Sequence, residues 1–100
     1  MIYITQLIYV KQGKESVFQE FENQAIPLMG KYTGKIVQRL RPSSEDFIEG
    51  EELKPYEIHI VSFESEEKFQ DFLKDDARSK LTHLKEESVD SILMFKGKRM

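Results

Sequence analysis

At 100 residues, 39% of them apolar and 33% charged, the chain is long enough for one hydrophobic core, too short for two, and too apolar for disorder. It has no cysteine, which excludes disulfides, thiolate nucleophiles and thiolate metal sites and fits a reducing, cytoplasmic setting. Its net charge of −3 opposes a broad attraction to nucleic acid.

The amino-terminal run MIYITQLIYV lacks leading basic residues and is too short for a signal peptide or a membrane span, so a strand over Ile2–Val10 is expected. Ile2, Ile4, Ile8 and Val10 share one face, with Gln6 as the polar exception, and Tyr3, Thr5, Leu7 and Tyr9 share the other. After Gly13, the residues Phe18, Phe21, Ala25, Leu28 and Tyr32 recur at helical spacing. Pro27 should kink or break this helix before a last turn.

Lys35 to Arg41 alternates as a second strand, with Ile36, Gln38 and Leu40 on one side and Val37, Arg39 and Arg41 on the other. Ser43 to Lys54 is rich in Glu and Asp and is expected as a solvated loop or, in a sharper reading, a flap over a pocket. Tyr56 to Leu73 is the clearest unit, a strand alternating Ile58 and Ile60 with His59 and Val61, then a helix capped by Ser65. Ala77, Leu81 and Leu84 extend a helical stripe to about Glu87, as two short helices or one bent one. A last strand begins at Val89 and closes at Gly97, followed by a short basic tail at 98–100.

The resulting order βαββαβ predicts a single α+β domain over residues 1–97, a ferredoxin-like four-stranded antiparallel sheet with its helices on one face. The other face is expected to carry Tyr3, Leu7, Tyr9, Val37, Val61, Phe63, Ile92 and Met94, an apolar area that calls for a second copy and predicts a sheet-to-sheet homodimer.

Two constellations are candidate chemistry. Glu57 and His59, two apart on one strand, share a face that Arg39 can join, with Tyr3 or Tyr9 further candidates. Together they suit an anionic or phenolic ligand, with His59 as the proton acceptor. The plainer alternative is a hydrogen-bonded polar patch within the dimer interface. Gln6, Gln38 and Ser91, placed on the helix-facing side, suit a small-molecule pocket or, equally, a satisfied polar core. Zinc spacings, phosphate-binding glycine loops and the aromatic pattern of RNA-recognition modules are absent, so neither a metal nor a nucleic-acid partner is expected.

Gly34, the Glu49–Glu51 turn, Pro55, and the strand and helix over Tyr56–Phe72 resemble the dimeric α+β barrel superfamily, most closely an uncharacterised bacterial family within it. That superfamily also includes antibiotic-biosynthesis and haem-degrading monooxygenases. The resemblance implies the dimeric α+β barrel and a pocket for a small aromatic or polyketide-like molecule, acted on without a cofactor. The haem-degrading branch carries an asparagine, a tryptophan and a ligating histidine. Here Gln6, Phe72 and Thr82 stand in those places, and His83, one position along, is turned by about 100° on a helix. No haem is expected. The alternative function is a dimerisation module without a ligand.

Overall fold

A computed structural model describes residues 1–100. Its elements are strand β1 (Ile2–Val10), helix α1 (Glu15–Ala25), a 3-10 segment (Ile26–Tyr32), β2 (Lys35–Leu40), β3 (Glu57–Phe63), α2 (Glu66–Leu73), α3 (Asp76–Ser79), α4 (Thr82–Ser88) and β4 (Val89–Gly97). Pro27 ends the regular helix as expected. The chain continues one residue earlier in the tighter 3-10 form, where the missing N–H costs nothing. Ser65 accepts a hydrogen bond from the Lys68 N–H at 3.2 Å and so starts α2. The helical stripe after Asp75 resolves into two short helices, and the Asp75 carboxylate caps the first of them.

The sheet is antiparallel with strand order β2-β3-β1-β4, and the helices cover one face, which is the ferredoxin-like arrangement. Between sheet and helices lies an apolar cluster of Ile4, Met29, Val61, Phe63, Phe69 and Phe72. Phe63 is its centre, with the Phe69 and Phe72 rings 5.3 and 5.6 Å away.

This packing reverses one expected assignment. Val61 and Phe63 face the helices and are buried, and Ile92 and Met94 face the same way, lining a cavity beside Phe18 and Phe21. The open face instead carries Tyr3, Leu7, Leu40, Ile58, Ile60, Leu93 and Phe95, with Thr5, Gln38 and Ser62 among them. Alternation fixes which residues of a strand go together, but not which set meets the helices when both sets are apolar.

Each edge strand also carries a bulge. In β2 the register against β3 shifts between Ile36 and Gln38, and in β4 the register against β1 shifts where Tyr9 and Val10 meet Ser91 and Val89. An extra residue in a strand exchanges the faces of everything beyond it. Gln38, just past the β2 bulge, therefore pairs with Ile60 on the open face; Ser91 pairs with Tyr9 there because it alternates with Ile92 and Met94, which face the helices, and neither joins Gln6 as expected.

The acidic segment between β2 and β3 is an exposed loop holding one short 3-10 turn, Ser44–Asp46, closed by reciprocal hydrogen bonds between Ser43 and Asp46. None of its residues lines the cavity beneath the helices, so the flap reading has no structural counterpart.

Gly34 precedes β2 where the backbone crosses Phe63. A β-carbon there would lie 2.6 Å from the Phe63 ring and 2.8 Å from Met29 Cβ, whereas one on Gly30 would meet nothing. Gly34→Ala is expected to destabilise the fold by about 1–3 kcal/mol through overpacking. Gly30→Ala should leave the urea midpoint nearly unchanged or slightly raised.

Candidate functional site

Strand β3 presents Glu57, His59, Val61 and Phe63 in succession to the helices, so its covered face runs from charged to aromatic along one strand. The apolar end builds the core. The polar end is a buried ion cluster.

The Glu57 side chain is 2% exposed and is held from three directions. Arg39 donates from Nε to Oε1 at 2.8 Å, Arg41 donates from Nη2 to Oε2 at 2.5 Å, and His59 Nε2 lies 2.6 Å from Oε1. Burial pushes the Glu57 carboxyl up. The hydrogen bonds from His59, Arg39 and Arg41 outweigh that and hold it down at about 2. Arg41 is fixed in turn by the Tyr56 ring, 4.6 Å from its guanidinium carbon, and by the Gln19 side-chain oxygen at 3.1 Å.

An ionised Glu57 decides the orientation of His59. Because a carboxylate can only accept, the His59 Nε2 carries the proton and donates it. In the neutral ring Nδ1 is then an acceptor. It faces Glu22 Oε2 across 3.8 Å, too far for a direct hydrogen bond. Glu22 comes from α1, one turn after Phe18 and beside Phe21 and Ala25 on the buried stripe, and is 6% exposed. Burial raises its carboxyl pKa, against the opposing pull of His59 and Arg39. No protein group donates to this carboxylate.

His59 and Glu22 form the polar end of a cavity of about 120 Å³ between sheet and helices. Phe18, Phe21, Met29, Phe69, Phe72 and Met94 supply much of its apolar wall, with Gln6, Arg78 and Lys85 as further polar groups.

Of the residues expected at a site, Glu57, His59 and Arg39 come together as read, and Gln6 lines the same cavity. Their surroundings differ from the expectation. They lie beneath α1, not on the open face, so Tyr3 and Tyr9 are on the opposite side of the sheet. Gln38 and Ser91 are absent from the cavity. Sequence reasoning missed Glu22, Arg41, Arg78 and Lys85. Glu22 was detectable as a carboxylate on an apolar helical stripe, and Arg41 as the residue two beyond Arg39. Lys85 follows Leu84 on a short helix whose pattern gives no such signal. His83 is exposed, and Phe72 is a core residue.

No family model matches the sequence, and no curated protein does. Solved structures do. A protein of unknown function from Rhodopseudomonas palustris superposes with a TM-score of 0.83 at 12% identity, covering 99% of this chain and 82% of its own. A NIPSNAP-family protein of unknown function from Agrobacterium tumefaciens gives 0.73 at 13%, covering 99% and 87%. An uncharacterised NIPSNAP domain protein from Burkholderia xenovorans gives 0.74 at 6%, covering 100% and 95%. The likeness is one of fold. It agrees with the resemblance to an uncharacterised bacterial family and carries no reaction. No helix is long and apolar enough to cross a membrane.

The clamp on Glu57 predicts an acid limb in stability. The carboxyl titrates near 4.5 when unfolded and near 2 when folded. Its contribution is therefore complete above pH 4.5 and is lost as the pH falls from there through about 2. Glu57→Gln should flatten that limb and cost about 1.5–3 kcal/mol at neutral pH, because charge-assisted hydrogen bonds are lost while both guanidinium groups stay partly solvated. Urea unfolding of both proteins across this range measures both effects.

Proposed function

We propose that the cavity binds a compact molecule of about one ring, apolar over most of its surface, and that His59 and Glu22 move a proton to or from it without a cofactor. The observation that carries this is the Glu22 carboxylate, on a residue 6% exposed, whose oxygens stay accessible, take no donor from the protein and stand 3.8 Å from the free Nδ1 of a clamped histidine at the end of a mostly apolar cavity. A hydrogen-bonding group on a ligand would satisfy both. At about 120 Å³ the space is close to that of an engineered cavity of about 150 Å³ that takes up benzene, so it favours a single ring over the larger polyketide-like ligand.

A cofactor-free oxygenation of the kind implied by the resemblance would start from the anion left by such a proton removal, with dioxygen as the oxidant. Oxygen uptake is therefore a readout separate from binding.

The same proposal includes a homodimer paired through the open sheet face, where Leu40, Leu93 and Phe95 are 46%, 50% and 54% exposed beside Ile58, Ile60 and Leu7. A single domain rarely leaves such a continuous apolar area in water. This face also supports a second reading, a dimerisation module with no ligand.

Native mass spectrometry of gently purified protein addresses both readings in one spectrum. The proposal expects a dimer carrying extra small-molecule mass, with Gln6→Leu and His59→Leu retaining the dimer and losing the extra mass. Extra mass retained by both variants would refute the site, and a bare dimer would favour the second reading. On the open face, Ile60→Lys should yield a folded monomer; a variant that stays dimeric in sedimentation would remove the sheet-to-sheet pairing.

A further inference from the structure

Part of the cavity wall is formed by Arg78 of α3 and Lys85 of α4, two half-buried cations that take no part in the Glu57 cluster. Neither has an ion-pair partner. Arg78 reaches the Leu73 carbonyl at 3.4 Å from Nη1 and lays its guanidinium 5.2 Å from the Phe72 ring centre. Its remaining side-chain N–H groups, and all those of Lys85, meet no protein acceptor.

The acids that influence these cations are committed elsewhere or solvated. Asp75 accepts from the Tyr32 hydroxyl at 2.5 Å and from the Arg78 backbone N–H at 2.9 Å. Glu86 is exposed, and Glu22 is shared in charge with His59 and Arg39. Burial lowers the pKa of both cations, and Arg78 lowers that of Lys85 further. Among the groups that line the cavity, Arg78 and Lys85 face a single carboxylate, Glu22, a local positive excess in a chain of net charge −3. Drawing two like charges toward an apolar wall is unfavourable unless an anion compensates them.

We propose that Arg78 and Lys85 anchor a carboxylate on the ligand, which makes the ligand class a compact, single-ring or similarly sized organic acid. The proposal rests on the reading of this cavity as the ligand site and adds its specificity. The guanidinium fork of Arg78 matches a carboxylate, Lys85 adds a second charge, and the apolar middle of the cavity takes the ring. The atoms of the ligand that exchange a proton then lie toward His59 and Glu22.

Benzoate and nitrobenzene, alike in shape and differing in charge, are suitable probes for ligand-detected NMR titration of the full chain. Benzoate should bind about tenfold more tightly, the gain of a charge-assisted contact over a neutral one. Arg78→Gln should bring benzoate to the level of nitrobenzene without changing nitrobenzene itself, and Lys85→Gln should remove part of the preference. Equal binding of the two probes by the unmodified chain would overturn the anion anchor while leaving the cavity as a ligand site. A preference that persists in both variants would overturn the assignment to these residues. Binding of neither probe would count against the cavity reading itself, and the anchor would fall with it. Unchanged urea midpoints in the two variants separate lost recognition from lost folding.

Discussion

The ion cluster beneath α1 depends on one carboxylate. Glu57 is buried on the central strand, where an unpaired charge would be intolerable, and it is kept ionised by Arg39, Arg41 and His59 together. That arrangement fixes the ring of His59 and directs its second nitrogen toward Glu22, at the polar end of a mostly apolar cavity. A hydrophobic replacement of the whole cluster would pack as well or better, so the cluster is weak evidence for stability and better evidence for a site.

The covered face of β3 explains why the cavity sits where it does. Toward Phe63 the strand meets Phe69, Phe72 and Met29 in close aromatic packing, and toward Glu57 it meets charged groups that hold fixed distances from one another. A core cannot be close-packed across that change, because the ion cluster keeps its hydrogen-bond lengths while the rings seek contact. The space left over lies at the junction, lined by side chains of both kinds. Its small volume limits what it can hold more firmly than any likeness to other proteins does.

The order of elements was legible in the sequence because each carries a local signal: the alternation of β1 and β3, Pro27 ending the first helix, Ser65 starting another. The pairing of Glu57 with His59 was legible for the same reason, since residues two apart on a strand share a face whatever lies above it. What lay above it was not legible. Both faces of β3 are apolar, so Val61 and Phe63 were assigned to the open face when the helices in fact cover them. Gln38 was misplaced by a bulge, which arises from the pairing of an edge strand and leaves no mark on a single strand's pattern, and Ser91 by the same exchange of faces that affected Ile92 and Met94. Glu22 was overlooked because a lone acid on an apolar helical stripe is read as an interruption, when here it is the only carboxylate that helix α1 sends into the cavity.

The tautomer of His59 is the most direct test of the account, because the clamp by Glu57, the free acceptor toward Glu22 and the proton transfer assigned to the cavity all depend on it. Nitrogen-15 NMR of the imidazole ring, recorded at a pH where the ring is neutral, distinguishes the two forms. The account predicts the form protonated at Nε2, with the Nδ1 resonance the one that responds to Glu22→Gln. A ring protonated at Nδ1 would contradict it, since His59 would then present its donor to Glu22 and have no lone pair free for a ligand.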